Sequence, residues 1–317
     1  MHRQRPLAVR FPPRTRPVAQ AIEQRGIVAT YELHDRLLSN RSSRRRHASR
    51  PPELDDTQHG VLAALERDGY ATVPFGALMA DRELEAAVER QAATFIDATE
   101  RGLDGDGTEL RRRAGKEFLV RAYSFDGTTL TLDDAWLRAC LSRRMLELAN
   151  AYLHMWSKLS YVDFWYTVAQ PRDAGRVASQ LWHYDFDDKH LLKAFLYLAD
   201  VDAETGPFEY VAGSQPGGPY HGVRPWKPMG YGRVPETDVE RAVASDAIRT
   251  FTAPRGTLIF CNTSGLHRGG FATAQPRVLA TATYCSPASL AALSNRNFAL
   301  RDDDLRRLDN TARFAVT

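Results

Sequence analysis

The chain has 317 residues, 43% hydrophobic and 26% charged, enough for a sizeable core in one large or two ordinary domains. It contains no run of about 18 apolar residues that would span a membrane, and its first 30 residues lack the apolar stretch of a signal peptide. The net charge of +3 is unevenly placed: residues 1–50 hold 12 Arg against Glu23, Glu32 and Asp35, which leaves the body acidic and argues against a nucleic-acid groove there.

The first 52 residues include FPPRTRP, SNRSSRRRHASR and a Pro pair. Like charge, Pro and Ser oppose burial, so a mostly disordered extension is predicted, with a short helix near 18–38. It is either a passive extension or an arm for polyanions, the only route to nucleic acid in this chain. Residues 53–317 are expected to form a single domain. LDDTQHGVLAALERDGYATVP predicts a helix ended by Gly69 and followed by a short strand. ALMADRELEAAVERQAATFIDATER and residues 132–156 predict two further amphipathic helices.

Beyond residue 158 the hydrophobic period changes to two. Strands are predicted at 159–168, 178–185, 191–200, 208–213, 256–262 and 277–285. Residues 214–250 predict a long functional loop with a short helix near 236–246. Helix and coil are expected from Ala288 onward. Such strands, joined by Gly- and Pro-rich turns with helices toward the N-terminal side, predict a mainly β fold with a helical buttress. Its core would be a jelly roll (double-stranded β-helix, cupin-like) over about 158–287.

Cys140, Cys261 and Cys285 are odd in number and far apart. They form neither a zinc spacing nor a disulfide framework, which suits a reducing cytoplasm. The bias of 37 Arg to 5 Lys is associated with high-GC bacterial genomes, where specialised metabolism is a plausible setting.

The chemistry concentrates in LWHYDFDDKH, residues 181–190. On a strand, i and i+2 share a face, so His183 and Asp185 project together. Two ligands hold a divalent metal weakly. The sharpest third candidate is His267 in GTLIFCNTSGLHRGG. Two imidazoles and one carboxylate leave three adjacent positions open on an iron, which suits Fe(II) with a bidentate cosubstrate and O2. Ten residues on, Arg277 begins a strand that would alternate it with Leu279, Thr281 and Thr283 on one face. If that face is interior, the guanidinium needs a carboxylate, which 2-oxoglutarate would supply as a two-pronged pair.

The order WHYD, ETGPFEYVAGSQ, GTLIFCNTSGLHRGG and PRVLATATY, preceded by LERDGYATVP, resembles the phytanoyl-CoA dioxygenase family of Fe(II)/2-oxoglutarate oxygenases. The resemblance spans about 55–287 and is densest over 180–285. It implies the double-stranded β-helix fold, iron on His183, Asp185 and His267, and 2-oxoglutarate on Arg277. It also implies hydroxylation or desaturation of a small-molecule substrate with release of succinate and CO2. Related halogenases carry a small residue where this chain has Asp185. The chain departs at Gly213-Ser214-Gln215, where the family often has Gly-Ser-His or Gly-Thr-His. Two rival readings share the fold: a cupin-like metal enzyme that does not use 2-oxoglutarate, and a catalytically silent binding module.

Around this centre, alternation puts Lys193, Phe195 and Tyr197 toward the cavity and Ala194, Leu196 and Leu198 toward the helices. Phe195 would wall the cosubstrate pocket, and Lys193 would be a second carboxylate anchor, a substrate contact or a solvated strand-end residue. Tyr220, His221, Arg224 and Trp226 in the long loop, with His190 and Arg121, are substrate candidates. Gln180 and Trp182 are expected to point away from His183, and Asp187 and Asp188 to lie on a turn facing substrate or water.

Overall fold

Two helices, α1 (Arg16–Arg36) and α2 (Ser39–Ser49), precede the body. The computed structural model describes residues 16–123, 127–223 and 233–317. Of the extension expected to be mostly disordered, residues 1–15 lie outside the described residues; α1 falls where a short helix was expected, and α2 follows it as a second helix, for a facial reason. Arg41, Arg45 and Arg46 stay exposed while Tyr31, Asp35, Asn40 and Ser43 are buried. Ser43 Oγ donates to the Trp156 carbonyl at 2.5 Å, and the Ala288 amide donates to Asn40 Oδ1 at 2.9 Å. Composition averages over a helix's faces; packing does not.

Helix α3 (Asp56–Asp68) opens on a reciprocal cap between Asp55 and Gln58 and closes on Gly69 at φ +80°. A side chain at Gly69 would stand 2.3 Å from Gln215 Oε1 and 2.4 Å from the Tyr210 hydroxyl, so the turn needs glycine for its angle and for space. Strand β1 (Tyr70–Pro74) follows, then α4 (Phe75–Met79) and α5 (Arg82–Leu103), which are separate where one helix was expected. Ala80 is left-handed and Asp81 caps α5, so a fresh helix starts there. Short strands β2 (Arg111–Arg113), β3 (Lys116–Arg121) and β4 (Thr128–Leu130) lead to α6 (Ala135–Leu141) and α7 (Arg143–Leu153). These two also read as one helix in sequence; Ser142 is extended and caps α7 through the Met145 amide.

The β core comprises β5 (Lys158–Thr167), β6 (Leu191–Tyr197), β7 (Phe208–Val211), β8 (Ile248–Phe251), β9 (Thr257–Cys261), β10 (His267–Arg268) and β11 (Arg277–Cys285). Helix α8 (Glu236–Ala242) precedes β8, and α9 (Leu290–Ser294), β12 (Phe298–Leu300), α10 (Asp302–Arg307) and α11 (Asn310–Val316) finish the chain. The large sheet runs β1-β9-β6-β11-β5-β3-β2 and the small one β10-β7-β8. His183 forms a bridge with His267, which adds the segment around 183 to the edge of the small sheet. From β5 on, the chain therefore visits large, small, large, small, small, large, small and large sheets, with antiparallel pairing throughout. That alternation is a jelly roll.

Each face of the large sheet has its own core. Leu192, Ala194, Leu196, Phe260, Ala280 and Ala282 pack on the helices, whereas Phe195, Tyr197, Ile259, Cys261 and Leu279 face the small sheet. Both faces of β11 are covered, so all nine of its residues are buried. Trp136 of α6 is fully buried and donates from Nε1 to the Thr281 carbonyl at 2.9 Å, fastening the buttress to β11. Among the described residues no helix is long and apolar enough to cross a membrane.

Candidate metal centre and anion pocket

His183, Asp185 and His267 come together at one end of the barrel, each offering a ligand atom within 4.8 Å of the others. Local pairing puts them there. The His183 amide donates to the His267 carbonyl at 2.9 Å and the His267 amide to the His183 carbonyl at 2.8 Å. The Asp185 amide then reaches the Thr263 carbonyl at 2.7 Å. Residues 178–180 form a 3-10 turn, so only this bridge remains of the expected strand at 178–185.

Each imidazole is oriented from behind. His183 Nδ1 lies 2.8 Å from the Leu181 carbonyl, and His267 Nδ1 lies 2.9 Å from the Gly265 carbonyl. A carbonyl only accepts, so both Nδ1 atoms carry the proton and both Nε2 atoms keep a lone pair. Burial pushes both histidines below their usual pKa, keeping them neutral. Burial opposes charge on Asp185 too, but the Lys193 ammonium, 2.6 Å from Oδ2, overrides it and holds the carboxylate well below its usual range. Two neutral Nε2 donors and one carboxylate form a donor set that fits a divalent metal with open positions.

The same cavity is lined by Arg277, Lys193, Phe195, Trp165, Thr167, Gln180 and Leu279. Arg277 is 6% exposed and its Nη1 donates to the Gly206 carbonyl at 2.5 Å. Its Nε has no acceptor, and among the described residues no carboxylate pairs with the guanidinium. Burial accordingly lowers its pKa. Gln180 Nε2 and Thr167 Oγ1 are also buried without partners. Unanswered donors around a cationic pocket are costly unless an anion completes them.

The structure sorts the remaining candidates. Phe195 and Lys193 line the cavity, and Lys193 is a partner of Asp185 rather than a solvated strand end. Gln180 lines it as well, against expectation, because the 3-10 turn abolishes strand alternation. Trp182 and Tyr184 are buried, and Arg268 lies over the Trp182 ring at 4.5 Å. Gln215, the departure from the resembled pattern, is buried against Gly69 and reaches the Arg67 carbonyl at 3.4 Å. His190 turns to Asp35 of α1 at 3.2 Å, not to the cavity. Tyr220 packs near Trp182 and Leu266, and His221 sits on a 3-10 turn; neither is among the described residues lining the cavity. Arg224 and Trp226 lie outside the described residues. Gly269 and Gly270, missed in sequence, let the backbone after His267 approach closely: a side chain at Gly270 would stand 1.9 Å from the Gly206 carbonyl. The Gly pair in LHRGG was the available signal.

Arg121 is buried and is not among the described residues lining the cavity. Its Nε donates to Asp163 Oδ2 at 2.6 Å, and Tyr161 joins both. The Tyr123 and Phe164 amides donate to Asp163 Oδ1 at 3.0 and 2.9 Å. Burial raises the Asp163 pKa despite the opposing pull of Arg121. Arg121→Ala should therefore cost about 3–5 kcal/mol at neutral pH by stranding a buried charge. Without Arg121 the Asp163 pKa rises further. A raised carboxyl loses stability as pH rises through its pKa, so the deficit should narrow as pH falls. Urea melts of both proteins at neutral and mildly acidic pH check this; a deficit below ~1 kcal/mol at neutral pH refutes it.

A jelly-roll barrel with a two-histidine, one-carboxylate group that shares its cavity with a buried arginine, which has no carboxylate partner among the described residues, is the class that fold and site define. No family model matches the chain, and no curated protein matches it. Among solved structures it is similar to the non-heme alpha-ketoglutarate-dependent epimerase SnoN from nogalamycin biosynthesis, at 19% identity and TM-score 0.49 over 73% of this chain and 83% of that one. It is also similar to EctD from S. alaskensis with bound Fe, at 17% and 0.48 over 75% and 78%. A third is HygX from Streptomyces hygroscopicus with nickel, 2-oxoglutarate and hygromycin B bound, at 16% and 0.43 over 74% and 88%. At such identities no residue role passes from those proteins to this one.

Proposed function

We propose that the chain is an Fe(II)- and 2-oxoglutarate-dependent oxygenase that hydroxylates or desaturates a small molecule. One observation carries the reading: a buried arginine with no carboxylate partner among the described residues shares a cavity with three convergent metal donors. His183, Asp185 and His267 would hold the iron, leaving adjacent positions for cosubstrate and O2. Bound there, iron and 2-oxoglutarate supply O2 activation coupled to oxidative decarboxylation, giving succinate and CO2. Arg277 would receive the far carboxylate, and Gln180 Nε2 and Thr167 Oγ1 would offer it two further donors. Phe195, Trp165 and Leu279 keep water from this end of the pocket. Asp185 fills the third ligand position with a carboxylate, which favours hydroxyl or hydrogen chemistry over halide transfer.

A metal enzyme without 2-oxoglutarate would share the triad but leave Arg277 unexplained. The expected result is slow succinate formation when the protein is incubated with Fe(II), ascorbate and 2-oxoglutarate, abolished by a chelator and restored by added Fe(II). Calorimetry that detects no 2-oxoglutarate binding to the metal-loaded protein would sink the proposal.

A further inference from the structure

We propose that helix α1 positions the metal site, with Tyr31 and Asp35 as positioning residues acting through residues 188–190; this rests on the triad being a metal centre. Three residues past Asp185, the Asp188 side chain is fully buried. Its Oδ1 accepts from the Tyr31 hydroxyl and from the His190 amide at 3.0 Å, and its Oδ2 accepts from the Ser286 amide at 2.7 Å. The Lys189 amide reaches the Tyr31 hydroxyl at 3.3 Å. One turn along α1, Asp35 meets Lys189 Nζ at 2.5 Å and His190 Nε2 at 3.2 Å. Asn40 and Arg44 of α2 hold that carboxylate in place at 2.8 and 2.7 Å.

The loop so gripped carries a ligand at its other end. Asp185 is tied to Thr263, and the Lys189 carbonyl lies 3.5 Å from Ser264 Oγ, beside the strand that bears His267. Residues 185–190 thus have two anchors: the His267 segment on one side and α1 on the other. A buried carboxylate such as Asp188 keeps its place only while its donors are present. Losing Tyr31 removes one donor and frees the loop near Asp185. The segment that composition read as a passive extension or a polyanion arm then becomes part of the metal site's support.

The test uses the full chain with Co(II), whose visible absorption reports ligand geometry. Tyr31→Phe and Asp35→Asn should each weaken Co(II) binding by about tenfold, at the low end of effects from residues that support ligands. Hydrogen exchange at the Asp185, His190 and Ser286 amides should quicken, and excess Fe(II) should restore succinate formation, which a merely unfolded variant would not show. Leu33→Ala, on the exposed side of α1, should leave affinity unchanged. Unchanged Co(II) affinity and exchange in both variants overturns the proposal. If the unaltered chain binds Co(II) yet never forms succinate, the oxygenase reading falls while the affinity comparison still decides the role of α1. If it binds no metal, both fall.

Discussion

Replacing Arg277 with leucine should raise the 2-oxoglutarate concentration needed for half-maximal succinate formation by roughly 100-fold, because truncating one partner of a buried, hydrogen-bonded charge pair costs about 3 kcal/mol or more. The same change should have the opposite effect on the ligand-free protein. Arg277 is buried there with an unsatisfied Nε and no carboxylate among the described residues. Exchanging an uncompensated buried charge for an apolar side chain removes a penalty. The melting temperature of the ligand-free variant should therefore rise, while the increase that 2-oxoglutarate confers on the unaltered protein should vanish. Arg277→Lys keeps the charge but loses the fork, so it should recover only part of the affinity. Kinetics and thermal melts with and without 2-oxoglutarate provide both readings. An unchanged half-saturation constant would exclude Arg277 as the anchor.

Asp185→Ala should abolish Fe(II) binding in the micromolar range and bring succinate formation to background, a loss of at least about a thousandfold, since two imidazoles alone hold the ion weakly. The variant should also be less stable without metal. Lys193 would lose the carboxylate 2.6 Å away, and Asp187 would be left as a nearby anion that raises the Lys193 pKa. Lys193 is partly exposed and keeps Asp187 nearby, so the loss should stay below the ~3–5 kcal/mol of a broken, fully buried pair. Anaerobic Fe(II) titration and a denaturant melt separate the two effects. Retained iron affinity in Asp185→Ala would mean that the metal, if any, sits elsewhere.

His183, Asp185, His267 and Arg277 stood out by residue type and spacing beside apolar segments, although the strand expected at 178–185 is reduced to one bridge and β11 is buried on both faces. The errors have a common form. Gln180 was turned outward by an alternation that a 3-10 turn interrupts. Arg121 looked like a substrate contact until Asp163, on the neighbouring strand, took its charge. His190 looked like a substrate contact until α1 covered it. In each case the deciding partner is distant in sequence, and no local pattern announces it.

The sequence by itself determined five of the core strands, β5, β6, β7, β9 and β11, the inward face of β6, and four side chains that the fold brings to one cavity, but not β8, β10 or the turn at 178–180. Local sterics and hydrophobic period act over a few residues, so their imprint is local. Only the tertiary structure decided that the tail folds back on the body, that Asp188 is a buried knot between α1, the ligand loop and β11, and that Arg277 has no carboxylate among the described residues. Those facts depend on which charges meet after folding, and the cost or gain of a buried charge is settled by the partner it finds.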